Sequence, residues 1–267
     1  MNPLQDKRVL LTGATGGIGQ AVLQQLLVCG ADVVITGRDS LKLNRLAATA
    51  PGRIHPFAGD LTEPSVRHAL LSTCMQLGGI DVLINNAGIS HFSAQSEQDL
   101  AGLIETNLLA PMQLTQLMLP ILNQRSGTVL NVGSTFGSIG YAGFTGYCAS
   151  KFGLRGYTEA LQRELTDTGV KVLYLAPRAT KTAINSPQVD ALNTALGQSV
   201  DAPDQVAKAL IDQLISGKKR QYLGLAEQFF IKLNAIFPAV VDSALANKLK
   251  KIKHYFSTSN VNKSAEV

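Results

Sequence analysis

Val9-Leu10-Leu11-Thr12-Gly13-Ala14-Thr15-Gly16-Gly17-Ile18-Gly19 is the stretch on which the fold turns. Val9 to Thr12 is a short, mostly apolar run of the kind buried on both faces of a parallel sheet, and Gln20 to Cys29 follows as a helix. A glycine-rich turn between a strand and a helix brings a diphosphate onto the helix N-terminal amides, whose unpaired N–H groups favour an anion. Glycine is needed there because a Cβ would block either the turn or the phosphates. The spacing is T-G-x-x-x-G-x-G, with one more turn residue than G-x-G-x-x-G. Glycine turns are common in isolation. One in the first strand–helix unit predicts a doubly wound α/β fold that holds a dinucleotide.

The second strand, Asp32 to Thr36, ends in Gly37-Arg38-Asp39. At this strand end an acidic residue binds the 2′-hydroxyl of NAD, whereas an arginine accommodates the 2′-phosphate of NADP. Arg38 can chelate a phosphate through two hydrogen bonds. Asp39 and Ser40 are expected to cap a helix starting near Leu41. NADP(H) is therefore favoured, with NAD(H) as the alternative. A third unit runs from Arg53 to Phe57 through Gly59-Asp60-Leu61 into a helix opened by Thr62-Glu63-Pro64. Thr62 is expected to cap that helix, leaving Asp60 free to meet a ligand. The fourth strand, Asp81 to Ile84, ends in Asn85-Asn86-Ala87-Gly88, where asparagines can tie turns together and leave room for a nucleotide.

Glu97 to Leu119 reads as one long helix containing Pro111, which donates no hydrogen bond to the carbonyl of Asn107 four residues earlier. That carbonyl is expected to be free for a water molecule, a simple kink being the alternative. The fifth strand, Gly127 to Val132, delivers Gly133-Ser134 to the edge where ligands bind. Next comes Tyr147-Cys148-Ala149-Ser150-Lys151 on a helix, with phenol and ammonium on one face a turn apart. A positive charge about 4 Å away at an effective dielectric of ~20 favours a phenolate by ~4 kcal/mol, which would bring a tyrosine from ~10 to about 7. Such a pair is a general acid suited to neutral pH. An aromatic ring that merely shields the lysine stem is the plainer alternative. Val170 to Leu175 form the sixth strand, ending in Pro177-Arg178, and the polar stretch from there to about Ala202 reads as a mobile lid. Pro203 to Ser216 is a helix and Gln221 to Gly224 a last short strand.

A chain of 267 residues that is 45% hydrophobic can bury the core of one large α/β domain. No apolar run reaches spanning length, and the short polar N-terminus enters the first strand directly. Neither a signal peptide nor a transmembrane helix is expected, and the chain reads as cytoplasmic. Cys29, Cys74 and Cys148 are odd in number and lack metal-ligand spacing, so they fit a reducing compartment and no metal site is expected. Cys148 should be a packed thiol pointing away from the Tyr147 face. The net charge of +5 belongs to the tail, where the basic residues from Lys218 onward outweigh Glu227, Asp242 and Glu266. The body has no basic stripe with interleaved aromatics, so no nucleic-acid partner is expected.

With TGATGGIG at 12–19, Asp60, Asn85-Asn86-Ala87-Gly88, Asn107, Ser134 and Tyr147-x-x-x-Lys151 in this order, the chain resembles the short-chain dehydrogenase/reductase family across roughly Lys7 to Gly224. The resemblance implies a Rossmann-like, seven-stranded parallel sheet with helices on both faces, filling one domain over residues 1–224. It implies a homodimer or homotetramer assembled through the helices bearing Asn107 and Tyr147. Tyr147 would donate its proton to a carbonyl oxygen as hydride arrives from the nicotinamide. Lys151 would lower the pKa of Tyr147 and bind the nicotinamide ribose, Ser134 would stabilise the developing oxyanion, and the Asn107 carbonyl would hold a water. Cofactor contacts are implied at Gly13, Thr15, Gly17, Ile18, Gly19, Arg38, Asp60, Leu61, Asn86, Ala87, Gly88, Tyr147, Lys151, Pro177 and Thr182. Of these, Asp60 would meet the adenine, Asn86 the adenosine ribose and Thr182 the carboxamide. The implied activity is NADPH-dependent reduction of a ketone or aldehyde to an alcohol, or the reverse. A nucleotide-binding regulator without turnover is the alternative, although a pure binder has no need of a charged lysine beneath that tyrosine.

Two departures stand out. The family usually has Pro-Gly after the sixth strand, and here Pro177-Arg178 takes its place. Arg178 is expected to face solvent, with the substrate mouth as the alternative; substrate choice therefore does not transfer. Residues 225–267 form a basic amphipathic helical extension. Leu225, Phe229, Phe230, Leu233, Ile236 and Phe237 recur at helical spacing up to Pro238, and Val241, Ala244, Leu245, Leu249 and Ile252 form a second stripe beside Lys248, Lys250, Lys251 and Lys253. Both stripes are expected to cover the protein's own pocket or a subunit partner. Peripheral contact with the inner face of an anionic membrane is the alternative. The apolar tail points to a hydrophobic carbonyl substrate, acyl-chain or steroid-like.

Overall fold

The computed structural model describes residues 2–263. Its strands are β1 (Arg8–Thr12), β2 (Asp32–Gly37), β3 (Ile54–Ala58), β4 (Val82–Asn85), β5 (Thr128–Val132), β6 (Lys171–Ala176) and β7 (Arg220–Tyr222). They form one parallel sheet in the order β3-β2-β1-β4-β5-β6-β7. The order reverses between β1 and β4, which opens a crevice beyond the C-terminal strand ends. Every expected strand is present, with ends moved by one or two residues.

Helices α1 (Gly17–Val28), α2 (Ser40–Ala47), α3 (Pro64–Gln76), α4 (Leu100–Ile104), α5 (Ala110–Gln124), α6 (Thr145–Glu164), α7 (Pro187–Ala195) and α8 (Pro203–Ser216) lie between strands. After β7 come α9 (Leu225–Ile236), α10 (Pro238–Ala246) and α11 (Leu249–Lys263). Val9 and Leu11 of β1 point to the face covered by α1 and α8, while Leu10 points to the face covered by α3, α5 and α6. All three are fully buried, which is why the strand shows no polar alternation. A buried polar ladder links the second layer to the sheet. Asn85 Nδ2 donates to Thr115 Oγ1 at 3.0 Å and to Asn131 Oδ1 at 2.8 Å, and Asn131 Nδ2 donates to Thr158 Oγ1 at 2.9 Å. Such a network holds β4 and β5 in one register against α5 and α6.

The helix expected over Glu97–Leu119 is not continuous. Between α4 and α5, Glu105–Leu109 form one π turn, in which the Ala110 N–H donates to the Glu105 carbonyl. Pro111 has no N–H for the Asn107 carbonyl, and the widened turn accommodates that gap. The expected mobile lid is also corrected, because it contains α7. Ser186 Oγ accepts from the Val189 N–H at 3.4 Å, Pro187 occupies the first turn, and Val189 and Leu192 are buried among Tyr141, Phe144 and Ile252. Ser-Pro is a helix-start signal that the polar composition masked.

Candidate active site

A cleft of about 270 Å³ crosses the C-terminal ends of β1, β2 and β4. Gly13, Thr15, Gly17, Ile18, Gly19, Arg38, Asp60, Leu61, Asn86, Ala87, Gly88 and Thr182, which the resemblance implies as cofactor contacts, all line it. Gly13 has φ +66°, and a Cβ there would stand 2.7 Å from Ala87 Cα. A Cβ on Gly19 would stand 2.2 Å from the Gly13 carbonyl oxygen, so only glycine lets α1 close on the turn. Thr182 leans over this turn, with its Cγ2 2.8 Å from where a Gly17 Cβ would be. Its hydroxyl oxygen is buried with no hydrogen-bond partner among the described residues. A buried orphan hydroxyl beside a glycine cradle fits a dinucleotide that brings an amide partner.

Asn86 serves structure and site together. Its Nδ2 donates to the Thr12 and Gly13 carbonyls at 2.9 and 3.2 Å, and the Asn86 and Ala87 N–H groups both donate to Thr12 Oγ1 at 2.9 Å. Asp60 corrects the capping expectation. Thr62 does not cap α3, whose N-cap position is Glu63. Instead Asp60 Oδ1 accepts from the Thr62 N–H at 3.0 Å and the Thr62 hydroxyl at 2.8 Å, a local turn that a short carboxylate forms readily. The Thr62 N–H chiefly, with help from the charge of Arg38, holds the Asp60 carboxyl below the usual carboxylate range. Sequence reasoning missed Arg67, which is buried and donates to the Leu61 and Thr62 carbonyls at 2.6 and 2.8 Å. At the end of β2, Asp39 is occupied in capping α2, accepting from the Lys42 N–H at 3.0 Å. Arg38, not Asp39, lines the cleft.

A second cavity of about 460 Å³ adjoins the first and shares Ile18, Asn86, Gly88, Thr182 and Ile184 with it. Ser134, Tyr147, Lys151 and Pro177 line it. The Lys151 ammonium is buried, donates to the Val132 carbonyl at 3.0 Å and lies 5.7 Å from the centre of the Tyr147 ring. Ser134 Oγ accepts from the Phe136 N–H at 3.1 Å and is hydrogen-bonded to Tyr147. Asn107 lies behind this group and lines neither cavity. Its Nδ2 donates to the Ile89 carbonyl at 2.9 Å and to Ser150 Oγ at 3.1 Å, and its Oδ1 accepts from the Ile89 N–H at 2.8 Å. The side chain thus ties the loop after β4 to α6, whereas the sequence reading gave Asn107 a role only through its backbone carbonyl, as the holder of a water.

The expected phenol near pH 7 is corrected. Burial pushes Tyr147 up to about 12, with the Ser134 hydrogen bond pulling against it, and burial lowers Lys151 to about 8. The loss of water around each group outweighs the attraction between the two charges. At neutral pH the site therefore holds a protonated phenol beside an ammonium.

The far walls of the second cavity come from outside the sheet: Tyr141 and Phe144, Leu192 of α7, and Phe230, Val241 and Leu245 of the tail. Cys148 packs in this aromatic cluster, as expected, and burial pushes its thiol up to about 11. Arg178 is not turned to solvent. Its Nε and Nη2 donate to Asp201 Oδ1 at 3.0 and 2.7 Å, and its Nη1 to Glu227 Oε2 at 3.5 Å. The tail's two stripes face different ways, the second covering the chain's own pocket as expected and the first left open to the subunit partner that the expectation also named. Val241, Leu245 and Ile252 of the second stripe pack inward, whereas Leu225, Phe229, Ile236 and Phe237 of the first are exposed.

The short chain dehydrogenase family profile matches residues 7–193. The chain is 31% identical over 217 residues to the 3-oxoacyl-(acyl-carrier-protein) reductase FabG of Vibrio cholerae, covering 78% of this chain and 89% of that one. It is 33% identical over 195 residues to human retinol dehydrogenase 16, covering 70% of this chain and 61% of the relative. Its structure is similar to that of a short-chain dehydrogenase from Streptomyces avermitilis, with a TM-score of 0.77 and 28% identity over 92% of this chain and 95% of the other. A seven-stranded parallel sheet, a glycine cradle at its switch point and a tyrosine–lysine pair at the same edge agree with these matches: the chain belongs to the short-chain dehydrogenase family, NAD(P)-dependent oxidoreductases of CH–OH and C=O groups.

Proposed function

We propose that this chain reduces a hydrophobic ketone or aldehyde with NADPH, the reverse oxidation being open to it in alkaline solution. The observation that carries the reading is the position of Tyr147, on the wall of an apolar cavity that continues into the glycine-lined cleft. Preference for the 2′-phosphate rests on Arg38 lining the cleft while Asp39 is engaged at the α2 N-terminus. The apolar cavity walls support a substrate with an apolar body, in keeping with the acyl and retinol substrates in the names of two relatives. In this reading residues 1–224 are the catalytic unit and residues 225–267 a separate extension, whose last four residues lie outside the described ones and whose helices α9 and α10 complete the cavity. Assembly through the helices that carry Asn107 and Tyr147 belongs to the same proposal and would cover Phe152, which is exposed on α6.

A dihydronicotinamide bound in the cleft supplies the hydride. The Thr182 hydroxyl and the glycine turn hold and orient the cofactor, and the aromatic walls keep bulk water from the carbonyl. Ser134 donates a hydrogen bond to the carbonyl oxygen. Tyr147 passes its proton to that oxygen and is left as a phenolate. Lys151 then matters most: its charge, 5.7 Å from the ring centre, favours the phenolate by roughly 3 kcal/mol at an effective dielectric of ~20. With its pKa at about 8, Lys151 is still mostly protonated at neutral pH.

The test is turnover by purified protein with NADPH and a panel of short and long-chain aldehydes and ketones. Tyr147→Phe should lower kcat by ~100-fold or more while leaving NADPH affinity within a few fold. Most of the activity surviving in that variant would remove Tyr147 as the acid.

A further inference from the structure

Helix α9 is amphipathic in the opposite sense to an ordinary surface helix. Its anchoring contacts to the body are polar. Gln228 Nε2 donates to the Tyr222 carbonyl at 2.9 Å, Asn234 Nδ2 donates to the Ser138 carbonyl at 3.0 Å, and Glu227 pairs with Arg178 at 3.5 Å. Leu225, Phe229 and Ile236 stand four and seven residues apart, on one stripe, and are between 62 and 85% exposed. Phe237 and Val240, exposed at the 118° bend into α10, extend the patch. A surface helix normally buries its apolar stripe, and a contiguous exposed patch marks a contact surface.

Charge selects the partner. Lys232 on α9, Lys248 after α10, and Lys250, Lys251 and Lys253 on α11 stand against Glu227 and Asp242; Glu227 already pairs with Arg178, and Lys251 donates to the Ala195 carbonyl. Lys232 is exposed within the apolar stripe, between Phe229 and Ile236. A second copy related by a two-fold axis would set this surface against itself and bring the lysines together. An anionic bilayer surface suits both features, because the apolar side chains enter below the headgroups while lysine stems reach back to the phosphates. Among the described residues no single helix is long and apolar enough to cross a membrane; α9 and α10 have the length and composition only as a pair, and the 118° bend between them suits a pair lying along one surface. The cavity opens on the same side: Ala226, Phe230, Ala244 and Lys248 line it and are also exposed.

We propose that α9 and α10 seat this chain on an anionic bilayer surface, with the mouth of the second cavity against the lipid. The seating is independent of which carbonyl the site takes; the meaning of the mouth's direction rests on the cavity being the substrate site. Full-length protein is sedimented with phosphatidylcholine vesicles, with and without phosphatidylglycerol, at low and high salt. Sedimentation with the anionic vesicles is expected, weakening as salt rises. Phe229→Glu/Ile236→Glu should bind at least tenfold more weakly while oxidising NADPH with a short water-soluble aldehyde as the wild type does. That activity arm separates failure of the seating from failure of the catalytic reading. Lys232→Glu alone should weaken anionic binding several fold, and it decides the matter should circular dichroism show the double variant unfolded. No sedimentation of the wild type, or equal sedimentation of wild type and variants, overturns the proposal. A wild-type dimer that the double variant splits, with no vesicle binding, gives the patch to a second copy and overturns it as well.

Discussion

Lys151→Met should change how stability depends on pH, and the size of the change follows from burial. The ammonium's pKa falls from 10.5 to about 8 on folding because burial strips its water. A cation whose pKa is depressed by folding is a liability: below about pH 8 both states are protonated and the full penalty, roughly 3 kcal/mol, weighs on the folded state. Between about pH 8 and 10.5 the unfolded chain binds the extra proton, so stability rises with pH. Tyr147 acts the other way only above pH ~10, where its buried phenol, at about 12, keeps a proton that the unfolded chain has lost. Between pH 7 and pH 10 the buried thiols of Cys74 and Cys148 also shift stability, but equally in both proteins, so the difference between wild type and variant isolates the lysine. Over that window the stability difference between wild type and variant should move by about 2 kcal/mol in favour of the wild type. At pH 7 the variant escapes the penalty but leaves the Val132 carbonyl without its donor, at a cost of about 1–3 kcal/mol. The inactive variant should thus be about as stable as the wild type, or up to ~2 kcal/mol more stable. Urea denaturation of cofactor-free protein at four pH values measures all of this. A difference that stays constant within ~0.5 kcal/mol from pH 7 to pH 10 would refute a desolvated ammonium.

Other perturbations test the remaining parts of the site. Arg38→Asp should weaken NADPH ten- to a hundredfold, the usual range for one charge-assisted contact, and NADH far less, by fluorescence titration; equal losses would remove the phosphate contact. Arg178→Ala leaves Asp201 buried without its cation and should cost at least ~2 kcal/mol in urea denaturation, with little change in NADPH affinity. An effect below ~0.5 kcal/mol would make the pair a surface ornament. Burial pushes the Cys74 thiol up to about 12 and the Cys148 thiol up to about 11, so a disulfide reagent at neutral pH should label the half-exposed Cys29 and reach the other two only on unfolding.

The parts of the fold legible in the sequence were those where a local rule and the global architecture agree. Val9 to Thr12 must be a buried strand, Asp39 has a helix to cap, and Gly13 and Gly19 leave no room for a Cβ. Thr62 was misread because two local rules competed. A carboxylate two residues before a threonine N–H forms its own turn, and nothing in the sequence ranks that above a threonine cap. The Tyr147–Lys151 pair was placed correctly and its electrostatics wrongly, since spacing on a helix gives proximity but says nothing of the depth at which the pair lies. Which way the tail's first stripe faces was illegible for a related reason. Helical spacing shows that α9 has an apolar stripe, but the side turned to the body was decided by three polar anchors on residues that are unremarkable in sequence.

The two departures from the family pattern, Arg178 and the tail, are one feature. Gly224 has φ +84°, and a Cβ there would lie 1.9 Å from Glu227 Oε2 and 3.1 Å from Arg178 Cδ, so α9 begins packed directly against the arginine. A glycine at 178 would leave Glu227 without its cation and Asp201 without its partner, loosening both the entry to α9 and the segment that follows α7. The cavity walls supplied by Leu192, Phe230, Val241 and Leu245 lie on the segments that these two connections help to fasten. In the proposed function the residues shared with the family line the cleft and supply the proton donor, and the cavity shape that would choose the carbonyl is set where this chain departs from the pattern. Substrate preference should therefore respond to substitutions at Arg178 and along the tail even when cofactor affinity does not.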